Sequence, residues 1–319
     1  MKFSIGIPAY KAKYIQECIN SILAQSYSDF ELIIVNDASP EDIDGIVNTF
    51  TDSRIRFFTN EQNYGAERVI ENWNKCLSLA RGEYFLLMGD DDVLAPTYLE
   101  TFYKVINCHP NYNVFHCQTI IIDSNGIKIQ YSKPLAEFES LLEMICNRVI
   151  NNRIQFISDF VYNTNEIKRL GGFFDLPLAQ MSDDITAYLL CDTKGIANVQ
   201  DYLFYYRQHG RTISSTGNEY LILNSISKGQ NWINIKIKNI AKSERYFYIM
   251  FVFKFKIWFS FHRKKLEVVN REINSSGVLS FSNLKSLKKT GVISYIEIIH
   301  IYEMYFKSLL SKSLKKFIL

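Results

Sequence analysis

Apolar runs and amphipathic stretches alternate along the chain up to Asp92. Four runs predict buried strands: Phe3–Ile7, Glu31–Val35, Arg54–Phe58 and Tyr84–Met88. Two stretches have apolar residues at helical spacing: Lys13–Ala24 and Glu67–Ala80. This alternation predicts an α/β fold, in which a Rossmann-like and mostly parallel sheet is sandwiched by helices.

Later segments are less regular. Asn113–Ile122 and Gly126–Gln130 predict a hairpin, because the Asn-Gly between them suits a tight turn. Ile157–Tyr162 and Ile196–Tyr206 predict further strands, with a helix near Asp184–Cys191. After about Ser215 the sequence becomes rich in Lys, Ile and Phe with helical potential. We therefore predict a catalytic domain over residues 1–215 and a basic, aromatic-rich helical appendage over 216–319.

Polar residues follow three of the predicted strands. Pro8-Ala9-Tyr10 comes after the first, Asp37 after the second and Asp90-Asp91-Asp92 after the fourth. In open α/β sheets, ligands bind beyond the carboxyl ends of the strands. The sequence therefore predicts a ligand site at this edge.

Three adjacent aspartates repel one another unless a positive group neutralises them. Their oxygens suit Mg²⁺ or Mn²⁺ with a substrate phosphate. The alternative is a solvated acidic turn, or caps for a helix starting near Pro96. Asp37 is similarly open to two interpretations, since it either binds a nucleobase or ribose or forms a turn within Asn-Asp-Ala-Ser-Pro.

Two further groups are candidates for chemistry. Asp183 and Asp184 open a helical stretch, where a carboxylate acts as a general base or caps the helix. Arg207, His209 and Arg211 form a cationic segment that either binds phosphate or lies on a surface loop. P-loop, dinucleotide-binding, nucleophile-elbow and zincin motifs are absent from the sequence.

Charge separates the two ends of a chain of 319 residues. Residues 236–319 hold 17 Lys+Arg against 5 Asp+Glu, whereas residues 1–235 hold 19 against 28. The six cysteines are dispersed without zinc-site spacing, so we expect reduced thiols in a reducing compartment. The first residues lack the apolar run of a signal peptide, and a cytoplasmic location is expected.

In order, these segments resemble the nucleotide-sugar-dependent glycosyltransferases of family 2, which have the GT-A fold. The resemblance runs from about Phe3 to Ser215. It implies that the donor nucleotide is bound by residues of the early motifs: Pro8, Ala9, Tyr10, Asp37, Asn63, Gly65 and Arg68. Of these, Asp37 matches the base-binding aspartate, and Asn63-x-Gly65 belongs to the segment leading to the metal motif.

The metal motif departs from the family pattern, which usually reads Asp-x-Asp-Asp. Its first position is Gly89 here, so Asp91 and Asp92 match the later carboxylates. The resemblance implies Mn²⁺ or Mg²⁺ bound through Asp92, Asp91 and His209. Asp90 and Asp91 are expected to contact the donor, and Arg207 and Arg211 its diphosphate.

Asp184 falls on the family's catalytic aspartate and Asp183 on the acidic residue before it; a slip of one residue would exchange them. The resemblance thus implies an inverting transfer from a nucleotide-diphosphate sugar, most simply a UDP-sugar. The Gln-x-x-Arg-Trp motif of the family's processive synthases is missing, which favours addition of one sugar. The alternative is a catalytically silent nucleotide-sugar-binding or scaffold protein.

The basic region predicts a membrane-facing appendage. Tyr246–His262 is aromatic but interrupted by Lys254 and Lys256, so a membrane span is not expected. Lysine-bearing apolar helices suggest attachment to an anionic inner leaflet, which would suit a lipid-linked acceptor for a surface polysaccharide. The alternative is packing on the catalytic domain or on another subunit of a homo-oligomer. No nucleic-acid partner is expected.

Overall fold

The computed structural model describes residues 1–209, 218–244, 247–276 and 287–305. Ten strands form one sheet: β1 Phe3–Ala9, β2 Phe30–Asn36, β3 Ile55–Thr59, β4 Tyr84–Leu87, β5 Val93–Leu94, β6 Val114–Ile122, β7 Lys128–Tyr131, β8 Phe138–Glu139, β9 Phe160–Asn163 and β10 Ile196–Arg207. The helices are α1 Ala12–Leu23, α2 Ile43–Val47, α3 Val69–Leu79, α4 Tyr98–Cys108, α5 Leu141–Val149, α6 Thr164–Arg169, α7 Ser182–Cys191, α8 Glu219–Glu244, α9 Phe247–Ser276 and a helix over 295–305.

The sheet runs in the order β3-β2-β1-β4-β9-β6-β10-β5, with β7 beside β6 and β8 beside β10. Its first four strands are parallel, as predicted. The second half is mixed, because β9 lies antiparallel between β4 and β6 while β6 and β10 are parallel. The expected α/β sandwich is confirmed, but the sheet is parallel mainly in its N-terminal half.

Burial explains the helices beside the sheet. In α1, Ile15, Cys18, Ile19 and Ile22 are fully buried and fall on one face, because helical side chains three or four positions apart are neighbours. α3 packs on β1 and β2. With helices on both faces, strands β1 and β2 are buried along almost their whole length, which is why they are nearly continuous apolar runs.

The structure differs from the predicted elements in two respects. Ile157–Asp159 forms a 3₁₀ turn, not the first half of a strand, because the Asp159 carboxylate accepts the Phe156 N–H at 2.9 Å. The strand begins only at Phe160. The helix placed near Pro96 in one interpretation of the acidic triplet is α4, which begins at Tyr98. The short helices α2, α5 and α6 were not predicted, although α5 begins with a Ser140/Glu143 capping box.

Contacts divide the chain into two compact units. The first comprises Met1–Asp175 with Ser182–Ser215, and the second comprises Leu176–Met181 with Thr216–Leu319. The predicted boundary at Ser215 falls within residues 210–217, which lie outside the described residues. In the second unit, α8 packs against α9. Within the described ranges, no helix has the length and apolarity needed to cross a bilayer.

Candidate active site

The parallel half of the sheet reverses its strand order between β1 and β4. The Asp90 carboxylate spans this point, since its Oδ2 accepts the backbone N–H groups of Tyr10 at 2.7 Å and Lys11 at 2.8 Å. Burial and the charge of Asp91 raise the pKa of Asp90 to about 6 against the effect of these two hydrogen bonds. Asp90 thus anchors the β1–α1 loop where such sheets bind ligands.

Asp91 is the most accessible of the three aspartates, and the side chains of Lys11 and His209 approach it from two elements. His209 Nε2 lies 2.7 Å from Asp91 Oδ2, and Lys11 Nζ lies 3.6 Å from the same oxygen. The Asp91 side chain keeps 15% of its surface exposed. This arrangement brings the predicted metal residues Asp91 and His209 together and adds Lys11, which the sequence did not single out.

Asp92 faces inward. Its Oδ1 accepts the Arg207 N–H at 2.8 Å, and its Oδ2 lies 3.5 Å from Ser158 Oγ. Burial, followed by the charge of Asp91, raises the pKa of Asp92 well above its usual range. Asp92 therefore fixes the end of β10, and Asp91 is the better placed of the two predicted metal ligands.

Arg207 is 1% exposed and contacts the acidic loop from its buried side. Its Nε donates to the Asp91 carbonyl at 2.8 Å, its Nη2 pairs with Glu17 at 2.8 Å, and its guanidinium lies 4.4 Å from the Tyr14 ring centroid. These contacts occupy the side chain. Arg207 is thus placed to hold Asp91 in position, whereas the predicted Arg211 lies outside the described residues.

The space around Gly89 accounts for the departure from the family's metal motif. A Cβ atom added at Gly89 would lie 2.8 Å from Asp92 Oδ2 and 3.1 Å from Asp91 Oδ1. A side chain at this position would require the Asp91 and Asp92 carboxylates to move. The two following carboxylates therefore occupy the room that a first carboxylate would need.

A second group of predicted residues forms around Asp37. Its Oδ1 accepts hydrogen bonds from Asn60 Nδ2 at 2.8 Å and Tyr64 N at 3.0 Å, and its Oδ2 accepts from Gly65 N at 3.2 Å. Asn63 Nδ2 donates to the Asp37 carbonyl at 2.9 Å. Asp37, Asn63 and Gly65 are thus brought together, and Gly65 has a left-handed φ of 65° that favours glycine.

The remaining early residues line the same edge. Pro8 and Ala9 end β1, where Ala9 O accepts Asp37 N at 2.9 Å, and the Tyr10 ring is 43% exposed. Arg68 lies beside this loop, with its guanidinium 4.7 Å from the Tyr64 ring centroid. Its Nε and Nη2 pair with Glu71, so Arg68 stands at the rim of the loop.

Asp183 and Asp184 lie in the first turn of α7 but in different surroundings. Asp184 is 1% exposed, and Arg148 Nε lies 3.1 and 3.3 Å from its two oxygens. Gln155 Nε2 also donates to it. Asp183 is more exposed, and burial followed by the charge of Asp184 raises the pKa of Asp183 to about 7, against the effect of Arg148. Asp183 is therefore placed to exchange a proton near neutral pH.

A short segment joins the two acidic groups. Gln155 contacts Asp184, and Ser158, three residues further on, contacts Asp92. Three residues span at most about 10 Å. The two carboxylate groups predicted for different roles therefore lie on either side of one segment. The sequence did not predict Gln155 and Ser158 as site residues, because single Gln and Ser residues belong to no recognisable motif.

The residues fit a cation that a substrate helps to bind. In the described part of the chain, no three His, Cys, Asp or Glu side chains are grouped to cage a metal ion. Asp91 and His209 do converge, and Mg²⁺ or Mn²⁺ is commonly bound by one or two side chains together with substrate phosphates. These two residues would hold such an ion, with a bound diphosphate supplying other ligands.

Comparison with known proteins gives two kinds of likeness. Curated relatives include glycosyltransferase GlyG of Streptococcus pneumoniae, 33% identical over 32% of this chain and 34% of GlyG, so the match spans about a third of that relative. Putative glycosyltransferase EpsE of Bacillus subtilis is 27% identical over 70% of this chain and 80% of EpsE.

Among solved structures, S. aureus TarS in complex with UDP-GlcNAc superposes with a TM-score of 0.60 at 23% identity, over 72% of this chain and 66% of the TarS chain. This likeness confirms the GT-A fold. The model of the family described as glycosyl transferase family 2 matches residues 4–166, just over half of the chain. The chain belongs to glycosyl transferase family 2.

Proposed function

We propose that the protein is a non-processive, inverting glycosyltransferase that moves one sugar from a UDP-sugar to a hydroxyl acceptor. The observation that carries this proposal is the pairing of two acidic groups across the segment from Gln155 to Ser158. One group, with Asp91, Lys11 and His209, suits a diphosphate and its cation; the other suits an acceptor hydroxyl. TarS, which has the same fold, was solved with UDP-GlcNAc.

The donor would lie along the carboxyl edge of β1, β2 and β4. The loop organised by Asp37 and Asn63 would take the nucleotide base and ribose. Lys11 Nζ and His209 Nε2, which flank Asp91, would face the diphosphate. When bound, Mn²⁺ or Mg²⁺ would stabilise the negative charge of the departing diphosphate. Arg207 would keep Asp91 oriented toward this position through the Asp91 carbonyl.

The Asp183–Asp184 pair would accept the proton of the incoming hydroxyl. An efficient general base has a pKa near the working pH, and the pKa of Asp183 is raised to about 7. The Asp184 charge that raises it is itself held by Arg148. Attack from the face opposite the diphosphate would invert the anomeric configuration.

The acceptor would be lipid-linked or part of a growing surface polysaccharide of the O-antigen or capsule type. This part of the proposal rests on α9, where Phe255 is 64% and Phe259 54% exposed on one face. Lys254 and Lys256 are exposed beside them. An apolar face with flanking lysines suits an anionic inner leaflet, where the protein would sit as a peripheral protein in the cytoplasm.

The proposed activity is tested by incubating the protein with labelled UDP-sugars, Mn²⁺ and lipid extracts as acceptors. We expect hydrolysis or transfer of the sugar by the wild type. This activity should be lost in Asp91→Asn and retained in the control Asp29→Asn, whose side chain is 58% exposed. UDP binding without any turnover would contradict the proposal and indicate a silent nucleotide-sugar-binding or scaffold protein.

A further inference from the structure

Gln155 lies between two charged side chains that fix the direction of its amide. Arg153 Nε donates to Gln155 Oε1 at 2.5 Å, and Gln155 Nε2 donates to Asp184 Oδ1. Arginine can only donate hydrogen bonds and a carboxylate can only accept them. The amide therefore has one satisfied orientation, with its oxygen toward Arg153 and its nitrogen toward Asp184.

Arg153 is itself immobilised by a buried network. It is 1% exposed and forms an ion pair with Glu139. Its two Nη atoms lie 3.3 Å from Asn198 Oδ1, and Asn198 Nδ2 donates back to Glu139 at 2.8 Å. A fully satisfied network of this kind is rigid. The position of Gln155 is thus determined by residues from β8 and β10.

Asp184 also forms an ion pair with Arg148 on α5. The titratable or charged groups around the pair come from several elements: Arg148 on α5, Arg153 in the loop after it, Asp159 in the 3₁₀ turn, Tyr162 on β9 and Tyr188 on α7. Of the two side chains that donate hydrogen bonds to Asp184, Arg148 is charged and Gln155 is neutral. Its hydrogen bond holds the Asp184 carboxylate without adding a charge beside the pair.

We propose that Gln155, oriented by Arg153, is a positioning residue that holds the Asp184 carboxylate aligned beside Asp183, so that the Asp183–Asp184 pair can take the acceptor's proton. This inference rests on the proposed function, because it concerns the same proton transfer. Gln155 acts through the pair and does not touch the reacting atoms.

Loss of the Gln155 donor leaves the Asp184 carboxylate, next to Asp183, with one hydrogen bond fewer. The pair then holds its shared proton to a higher pH, since the protonated form needs no donor from Gln155. Turnover that requires the unprotonated pair is then lost at neutral pH and recovered at higher pH. A merely structural role would lower stability or activity without moving this pH dependence.

The test uses two substitutions in the full-length chain. Gln155→Met keeps the length of the side chain and removes both hydrogen bonds. Gln155→Glu keeps an acceptor for Arg153 but replaces the donor to Asp184 with a carboxylate oxygen. Gln130→Met, at an exposed position of β7, is the matched control. Measured quantities are kcat against pH and KM for the UDP-sugar, with Tm as a check of folding.

We expect the acidic limb of the kcat profile to move upward by about one pH unit in Gln155→Met, and further in Gln155→Glu. At pH 6.5 this shift corresponds to a loss of roughly tenfold in kcat. KM for the donor should stay within about twofold, and Gln130→Met should match the wild type.

An acidic limb that stays in place in both Gln155 variants overturns the inference, whatever the change in kcat. If Gln155→Met fails to fold, Gln155→Glu decides alone, because it preserves the acceptor for Arg153. A wild-type protein that transfers no sugar at any pH contradicts the proposed function itself. That result is distinct from an active enzyme whose pH profile of kcat is the same in the wild type and in the Gln155 variants.

Discussion

Ser158 Oγ lies 3.5 Å from Asp92 Oδ2 and accepts a hydrogen bond from the Gly89 N–H at 3.0 Å. One fully buried hydroxyl thus ties both ends of the acidic loop to the 3₁₀ turn before β9. The loop after β4 owes its position to a residue 66 positions further along the chain.

Removing this hydroxyl should destabilise the fold. In Ser158→Ala the partly buried Gly89 N–H loses its acceptor, and we expect the free energy of unfolding in urea to fall by about 1–3 kcal/mol. Ser78→Ala is the control, because Ser78 is exposed and its hydroxyl bonds only within its own helix. Equal stability of the two variants would contradict the anchoring role of Ser158.

Asp184→Asn should retain donor binding and lose turnover by about 10²–10⁴-fold. Asparagine cannot accept the proton, and it also removes the charge that helps raise the pKa of Asp183. Rates of sugar transfer and a thermal shift with UDP measure the two properties. Full activity in Asp184→Asn together with an inactive Asp183→Asn would assign the proton to Asp183 alone.

The wild-type enzyme should be inactive in acid. The raised pKa of Asp183 means that the pair binds a proton below about pH 7, and a protonated base cannot accept another. We therefore expect kcat to rise with pH through about 7 and then to level. A profile that is flat from pH 5 to pH 8 would exclude the pair as the base.

Asp37→Ala should weaken donor binding more than it lowers kcat. The substitution leaves Asn60 Nδ2, Tyr64 N and Gly65 N without their shared acceptor, so the proposed nucleotide loop loses its shape. We expect KM for the UDP-sugar to rise about tenfold or more, consistent with the loss of one charge-assisted contact. Unchanged KM would place the nucleotide elsewhere.

His209→Ala should reduce the dependence of UDP binding on Mn²⁺. His209 and Asp91 are the two converging groups, so a cation shared with the diphosphate would lose one of its two protein ligands. The expected result is a smaller rise in Tm with UDP plus Mn²⁺, and an unchanged response to UDP with EDTA. An undiminished response to Mn²⁺ would remove His209 from the proposed site.

Membrane attachment should depend on the exposed aromatic face of α9. We expect Phe255→Ser with Phe259→Ser to lose flotation with anionic liposomes, whereas Ile129→Ser, at a 56% exposed position of β7, should float like the wild type. Reversal of Lys312, Lys315 and Lys316 to Glu tests the basic end, which lies outside the described residues. Concentration-dependent dimers without flotation would favour packing between subunits.

The sequence predicted those parts of the fold that rest on strong local patterns. β2 is a nearly continuous apolar run and α1 has buried residues at regular helical spacing, so both were found within a few residues. The antiparallel entry of β9 between β4 and β6 was not predictable, because strand order depends on contacts between distant segments. Short α5 was missed despite its capping box.

The candidate site shows the same division. Asp37, Asp91 and His209 belong to ordered motifs and were named in advance. Ser158, Gln155 and Lys11 were not predicted as site residues. Each is a single polar residue whose partner lies 29 to 80 positions away in the sequence. Only the packed fold shows that Asp92 faces Arg207 while Asp91 faces outward.

The stretch from Gln155 to Ser158 sets the distance between the two acidic groups. Inserting or deleting one residue there would change their separation by up to about 3.3 Å, while a misplacement of about 1 Å can cost a hundredfold in rate. The length of this stretch therefore cannot change while Gln155 and Ser158 keep both contacts. A change of acceptor specificity would have to come from other loops that leave the length of this stretch unchanged.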